Sequence, residues 1–221
     1  WLPLVESGFI VKALSKQRAL GLWQFIPSTG YKFGLSRNQY IDERLNPEKS
    51  TQAAISYLKE LHRLFGDWST VLAAYNCGET RVLRVIRSQK INYLDNFWDL
   101  YSKLPEETAR YVPKFLATLH IVNNLEKYGL EKIIIDSPTK SEPFTVTKLN
   151  HLNDIAKITG IDRKTLKALN PELRQDIVPG ENYVLNIPEG KKKMLLANID
   201  QILRLNPARV DFRKHRVESG E

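Results

Sequence analysis

Hydrophobic residues recur at helical spacing through most of the first 129 positions. In residues 51–65 the apolar side chains fall three or four positions apart, as on one face of an amphipathic helix. They are Ala54, Ile55, Leu58, Leu61, Leu64 and Phe65. We expect Ser50 or Thr51 to cap this helix. The spacing predicts that residues 1–129 are almost entirely helical.

Two further helices are bounded by residues that commonly begin or end helices. Asp67 precedes WSTVLAAYN and can cap it through its carboxylate, and Gly78 separates this helix from ETRVLRVI. We expect Pro113 to lie in the first turn of a later helix, which Gly129 ends. The sequence therefore predicts a helical domain over residues 1–132.

Short alternating segments replace the helical pattern after residue 132. The stretch 133–142 begins with a β-branched run and continues with the Pro and Ser content of a linker. Beyond it we expect two strands and two short helices, at 144–148, 152–159, 163–170 and 183–187, with Gly160 and Asp162 between the helices. This is a small α+β unit of order βααβ over residues 143–188.

The last segment, residues 189–221, is predicted to be a linker followed by the start of a second such unit. Val217 can be laid over Val146, and the chain stops where the next helix would begin. It also starts abruptly at Trp1. We therefore expect a fragment of a longer protein, in which a missing signal peptide says nothing about export.

The composition and net charge limit the classes of molecule that this chain is expected to bind. The 221 residues carry a net charge of +8, which favours an anionic partner. That charge is spread as +5 over residues 1–140, −1 over 141–190 and +4 over 191–221. The densest basic cluster is only three lysines without interleaved aromatics, so we predict no nucleic-acid binding. We also expect no transmembrane helix, because no apolar run of about 18 residues occurs, and no internal disulfide, because Cys77 is the one cysteine.

The densest group of polar and aromatic residues lies near the N-terminus and in three later motifs. They are Glu6-Ser7, Ser15, GLWQFIPSTG at 21–30, AYN at 74–76 and ETARYV at 107–112. Apolar neighbours around Glu6 would raise the pKa of its carboxyl and suit a general acid, although a surface glutamate is equally compatible with this stretch. Gln24 could be a solvent-facing amide, Asn76 a helix terminator and Tyr111 a packing aromatic.

Together these motifs resemble the catalytic domain of the bacterial lytic transglycosylases. Residues 144–188, with LKALNP and VPGENYVLNIP, are similar to a LysM peptidoglycan-binding module. The resemblance implies a mainly α fold, in which a lysozyme-like helical catalytic domain precedes a small α+β LysM-like module. It also implies peptidoglycan glycan strands as the partner, and a monomer in the cell envelope, in the periplasm or at the outer membrane.

The resemblance further implies roles for individual residues. Glu6 would be the single acid/base that cleaves the β-1,4 bond between N-acetylmuramic acid and N-acetylglucosamine. The product would be a 1,6-anhydro sugar, so no second carboxylate is needed, and we assign Glu106 and Glu107 to the start of a helix. Five further residues would line the cleft and bind substrate: Ser15, Gln24, Tyr75, Asn76 and Tyr111. Ser7 points away from Glu6 on a helix, so its role is less defined.

Other readings of the sequence stay open. A lysozyme-like hydrolase would use one glutamate with water, and a degenerate domain would only bind the wall. Cys77 has no histidine near it in sequence, so we do not expect a catalytic cysteine. With no metal-ligand cluster, phosphate loop or dinucleotide motif, we predict no cofactor and no metal.

Overall fold

The computed structural model describes residues 1–89, 95–132 and 136–205. The chain forms two compact units, the first of Trp1–Ser36 and Glu43–Asp136, the second of Arg37–Asp42 and Ser137–Glu221. The sequence did not predict that Arg37–Asp42 belongs with the second unit. Ile41 forms an antiparallel bridge with Leu173 there. Within the described ranges, no helix is long and apolar enough to cross a membrane.

The first unit is built from seven α-helices in its described part. They are α1 (Leu2–Ser7), α2 (Pro27–Lys32), α3 (Pro47–Phe65), α4 (Trp68–Cys77), α5 (Glu79–Arg87), α6 (Phe97–Leu100) and α7 (Glu106–Val122). Short 3₁₀ turns lie at Glu43–Leu45, Tyr101–Lys103 and Glu126–Tyr128. Their shared core has α4 at its centre, where Val71, Ala73 and Ala74 are fully buried.

Two caps decide where the central helices begin. The Asp67 carboxylate accepts a hydrogen bond from the Thr70 N–H, which confirms the predicted start of α4. The prediction for α3 was wrong, because this helix begins at Pro47, with Asn46 as the cap accepting from the Lys49 N–H. Proline is favoured in a first turn, where its missing N–H needs no partner.

Residues 8–26 differ from the nearly continuous helix that the spacing predicted. They form turns joined by isolated bridges between Leu14 and Leu20 and between Leu20 and Phe25. Gly8 ends α1 in the left-handed conformation, with a φ of 60°. The chain from Gly8 to α2 is therefore a loop that is stabilised by hydrogen bonds within itself.

Helix α7 confirms the helix start assigned to Glu106 and Glu107, whereas the separate start predicted at Pro113 was wrong. It starts at Glu106 and passes through Pro113, which was expected to lie in the first turn of a separate helix. The carboxylates of Glu106 and Glu107 occupy the first turn, where the helix dipole favours negative charge. The half of α7 before Pro113 is helical because its buried face, including Tyr111 and Val112, packs into the core.

The second unit has the predicted βααβ order with two short strands added. Its elements are β1 (Ser141–Val146), β2 (Asn150–His151), α8 (Leu152–Thr159), α9 (Arg163–Leu169), β3 (Ile177–Val178), β4 (Tyr183–Pro188), α10 (Lys192–Ala197) and α11 (Ile199–Arg204), with a 3₁₀ turn at Arg174–Asp176. Strands β1 and β4 are antiparallel, with Ser141 opposite Pro188. The predicted cap at Asp162 and stop at Gly160 are both confirmed. The fold class, a helical unit followed by a small α+β unit, is also confirmed.

Helices α10 and α11 differ from the linker predicted after residue 188. Leu195 is fully buried in the core of the second unit, and Ile202 is only 2% exposed. The Lys148 ammonium donates to the carbonyls of Leu203 and Leu205 at the end of α11. The second unit thus continues to the last described residue, while the predicted further repeat and the run at 133–135 lie outside the described residues.

Candidate active site

The predicted site residues surround one cleft of about 880 Å³ in the first unit. Helix α1 brings Glu6, the loop after it brings Ser15 and Gln24, α4 brings Tyr75 and Asn76, and α7 brings Tyr111. Three segments separated by about 50 and 35 residues in the chain therefore meet at the same place. Cys77 also lines this cleft, as a free thiol.

Glu6 lies one residue before the end of α1, with its carboxylate aimed at α7. The Tyr111 hydroxyl donates a hydrogen bond to the Glu6 Oε1. Burial raises the pKa of the Glu6 carboxyl to about 7. The Tyr111 hydrogen bond and the Lys114 charge lower this pKa, whereas the nearby Glu107 carboxylate raises it. Near neutral pH, Glu6 is thus present both as an acid and as its conjugate base.

Tyr75 and Tyr111, two of the tyrosines that line the cleft, both remain protonated. Burial raises the pKa of Tyr111 and of Tyr75, and the neighbouring Glu6 charge raises both further. The Tyr111 hydroxyl is committed to Glu6, while the Tyr75 hydroxyl donates to the Trp23 carbonyl at 2.8 Å. Tyr75 therefore holds the loop against α4, a contact that its place in the sequence did not indicate.

Gln24 is held by its own loop. It has a positive φ of 49°, and its Nε2 donates to the carbonyl of Ala13 at 3.1 Å and to that of Gly21 at 2.8 Å. Both amide protons are thereby used inside the loop. Only the carbonyl oxygen of this side chain is left to accept a hydrogen bond from a molecule in the cleft.

The hydroxyls of Ser7 and Ser15, the two serines near Glu6, have different hydrogen-bond partners. The Ser15 hydroxyl accepts from the Ala19 N–H at 3.0 Å, which closes the turn between them at the edge of the cleft. The Ser7 hydroxyl lies 2.9 Å from the Leu22 carbonyl and 3.0 Å from the Pro3 carbonyl, and its one proton is shared between these two acceptors. Ser7 thus ties α1 to the loop that carries Gln24, which gives the motif's serine a positioning contact.

Asn76 reaches the cleft from the last turn of α4. Its side-chain oxygen accepts a hydrogen bond of 2.8 Å from the hydroxyl of Thr108 on α7. Thr108 was not among the predicted site residues. The sequence signal was its position three residues before Tyr111, which places both side chains on one helical face.

Charged side chains of α7 form one wall of the cleft. They are Glu106, Glu107, Arg110 and Lys114. The Arg110 guanidinium pairs with Glu106 at 2.6 Å. Sequence reasoning missed Arg110 and Lys114 because it placed a separate helix start at Pro113, which hides their spacing relative to Tyr111 within one continuous helix. With the start at Glu106, positions 107, 111 and 114 fall on one face.

Gly21 fixes the loop that carries Gln24. It has a φ of 87°, and a Cβ built there would lie 2.1 Å from the Arg44 carbonyl oxygen. We expect Gly21→Ala to lower the free energy of unfolding by more than about 3 kcal/mol, because backbone strain adds to a clash with main chain. Urea denaturation would measure this loss.

Gly34 provides the matched control for that change. Its φ is 84°, but a Cβ there would meet no atom within 4 Å. Gly34→Ala should therefore cost only the conformational strain, about 1 kcal/mol. Equal losses for the two variants would show that the close approach to Arg44 is unimportant.

The described residues offer no cluster of three or more His, Cys, Asp or Glu side chains that could hold a metal ion. Carboxyl, phenol, amide and hydroxyl groups line the cleft.

Two segments of the chain match known protein families. Residues 1–97 match the family described as "Transglycosylase SLT domain". Residues 142–204 match the family described as "Lytic transglycosylase MltD, LysM-like domain". The first match includes Glu6 and the AYN motif and ends before α7. The second includes α10 and α11, in agreement with their packing on the second unit.

Individual relatives are similar to all or part of this chain. The chain is 32% identical to membrane-bound lytic murein transglycosylase D of Escherichia coli over all of its length. It spans 51% of that relative. A putative tributyltin chloride resistance protein of an Alteromonas species is 41% identical over 40% of this chain and 44% of its own.

Among solved structures, an inactive mutant of lytic transglycosylase Slt from Pseudomonas aeruginosa is 26% identical, with a TM-score of 0.44, over 61% of this chain and 22% of that one. The family resemblance read from the motifs is confirmed by the family matches. Residues 1–97 are thus similar to the transglycosylase SLT domain family, and residues 142–204 to the LysM-like domain family of lytic transglycosylase MltD.

Proposed function

We propose that this protein is a lytic transglycosylase that cleaves peptidoglycan glycan strands, with Glu6 as its single acid/base. The observation that carries the proposal is the Glu6 carboxyl, which lies in the cleft with a pKa raised to about 7. The match of residues 1–97 to the SLT domain family supports the same reaction class.

In the first half of the reaction, the protonated Glu6 donates its proton to the glycosidic oxygen between N-acetylmuramic acid and N-acetylglucosamine. The C1–O bond breaks, and the N-acetylglucosamine side leaves as an alcohol. Glu6 becomes a carboxylate, which the Tyr111 hydroxyl stabilises as a hydrogen-bond donor.

In the second half, the Glu6 carboxylate accepts the proton of the C6 hydroxyl on the muramic acid residue. That oxygen bonds to C1 of its own sugar and closes a 1,6-anhydro ring. Glu6 regains its proton, and no water is consumed. One carboxyl can suffice because the nucleophile is part of the substrate, unlike the paired carboxylates of most glycosidases.

Substrate binding is assigned to the five other predicted residues. Gln24 would accept a hydrogen bond from the sugar, Asn76 would donate one, and Ser15 would contribute its hydroxyl at the edge of the cleft. Tyr75 would act mainly by holding the Gln24 loop, and Tyr111 through Glu6.

The second unit is proposed to bind the glycan polymer and to keep the enzyme at the wall. Its similarity to the LysM-like domain of lytic transglycosylase MltD supports this assignment. We place the domain boundaries at 1–132 and 141–205, with a linker between them. We further propose that the protein is a monomer in the cell envelope, in the periplasm or at the outer membrane. A lipid anchor would account for attachment to a membrane, as in the relative named membrane-bound.

The test is mass spectrometry of the glycans that the protein releases from purified peptidoglycan. Anhydro-muramic ends are expected. Reducing ends, heavier by one water, would instead identify a lysozyme-like hydrolase. Sedimentation with the wall and no released glycan would indicate a binding protein and contradict the enzymatic proposal.

A further inference from the structure

Thr108 forms a hydrogen bond with the Asn76 side chain from inside the protein core. Its hydroxyl donates to the Asn76 Oδ1 at 2.8 Å, and the residue is 1% exposed. A side chain buried to this degree cannot touch a molecule in the cleft. Any effect of Thr108 on a ligand therefore passes through its hydrogen-bond partners in the cleft wall, the Asn76 Oδ1 at 2.8 Å and the Cys77 thiol.

The Thr108 hydroxyl proton favours one end of the Asn76 amide in the cleft, because rotating the amide by 180° would replace the Asn76 Oδ1, as acceptor of this buried proton, by the Cys77 sulfur, a weak acceptor. With the oxygen committed to Thr108, the NH₂ group is the free end, and within the described ranges its nitrogen donates to no protein acceptor. An asparagine amide has nearly the same shape when rotated by 180°, so hydrogen bonds decide its orientation. Gln24 is fixed in the opposite sense, with its NH₂ bound and its oxygen free.

A fixed donor discriminates between kinds of sugar substituent. The acetamido carbonyl of an N-acetyl sugar can only accept a hydrogen bond, so it is matched by an NH₂ group and mismatched by an amide oxygen. A sugar hydroxyl both donates and accepts, and so it can pair with either end of the amide. Only the acetamido group is therefore sensitive to the orientation of Asn76.

We propose that Thr108 is a positioning residue that fixes Asn76 as a hydrogen-bond donor to the acetamido carbonyl and thereby makes the cleft selective for N-acetyl sugars. The inference rests on the proposed function, because it takes a glycan as the ligand of this cleft. It adds a determinant of selectivity that lies outside the cleft lining.

The experiment measures binding of two neutral probes by calorimetry in a Glu6→Gln background, which prevents cleavage. The probes are β-1,4-linked tetramers of N-acetylglucosamine and of glucose, which differ by the acetamido group in place of a hydroxyl. Thr108→Val should weaken binding of the acetylated tetramer by about five- to tenfold, the effect of one hydrogen bond. The same change should leave binding of the glucose tetramer as it was.

Two further variants separate orientation from packing. Thr108→Ser keeps the hydroxyl and should restore the preference for the acetylated tetramer. Thr118→Val makes the same substitution on the same helix, where the lost hydroxyl donates to the Lys114 carbonyl at 2.9 Å, and it should leave the preference unchanged. If valine at position 108 disturbs folding, Thr108→Ala removes the hydroxyl without added bulk.

The proposal is overturned if the Thr108 variants lacking a hydroxyl keep the full preference, if Thr108→Ser loses as much as they do, or if the parent shows no preference for the acetylated tetramer. Failure of the proposed function has a different signature. In that case the unsubstituted protein would release no anhydro-muramic ends, whatever its preference between the tetramers.

Discussion

Replacement of Glu6 by glutamine is expected to lower the rate of glycan cleavage by about 10³-fold, within the usual range for loss of a general acid–base. Glutamine keeps the size of the side chain and an oxygen that can accept from Tyr111, but it has no proton to give to the glycosidic oxygen. Quantification of anhydro-muramic ends by mass spectrometry measures the loss. Activity within tenfold of the parent would contradict the role of Glu6.

Stability separates this loss of activity from misfolding. The pKa of Glu6 is raised from 4.5 to about 7, so the folded state holds the proton over a pH range in which the unfolded chain has released it. The stability that Glu6 contributes therefore falls as pH rises from about 4.5 to 7 and stays low above 7. At pH 8, Glu6→Gln removes a buried charge and should raise the free energy of unfolding by about 1–3 kcal/mol.

Glu107 provides the matched control on the same cleft. Glu107→Gln removes the other carboxylate that acts on Glu6, with the same change in chemistry. Since that carboxylate is placed at the exposed start of α7, we expect activity to remain within about tenfold of the parent. A loss equal to that of Glu6→Gln would indicate a two-carboxylate mechanism and favour hydrolysis.

The activity should fall as pH rises through about 7. Glu6 must enter the reaction as the acid, and its pKa of about 7 sets the fraction of free enzyme that carries the proton. The ratio kcat/KM reports this group in the free enzyme and should decline tenfold per pH unit well above 7. Initial rates on soluble glycan strands from pH 4 to 9 would establish the profile. A profile flat up to pH 9 would contradict the assignment.

Substitution of Tyr111 tests the direction in which the pH profile shifts. The Tyr111 hydrogen bond lowers the pKa of Glu6, so Tyr111→Phe should raise this pKa and move the alkaline decline to higher pH. Lys114→Gln should move the decline in the same direction. The positive charge of Lys114 stabilises the Glu6 carboxylate, and its removal therefore raises the pKa of Glu6. Glu107→Gln should move it to lower pH. A shift of the opposite sign in any variant would show that another group governs the decline.

Helical spacing and capping residues were sufficient to predict most of the secondary structure. Asp67, Gly160 and Asp162 bound helices as their chemistry predicts, because a cap is a contact within a few residues of chain. The predicted helix starts were wrong where two sequence signals, capping residues and proline or the apolar stripe, indicated different positions. Asn46 and Pro47 begin α3 ahead of the apolar stripe, and Pro113 was taken for a start although burial keeps α7 helical through it.

The sequence by itself determined the candidate residues, because short motifs carry the chemistry of the site: Glu6, Ser15, Gln24, Tyr75, Asn76 and Tyr111. What those residues do with their hydrogen bonds was decided only by the tertiary structure. The raised pKa of Glu6 depends on burial under α7, and the free end of each amide depends on partners at Gly21 and at Thr108. Such contacts join segments distant in the chain, and a local pattern contains no information about which atoms will meet across that distance.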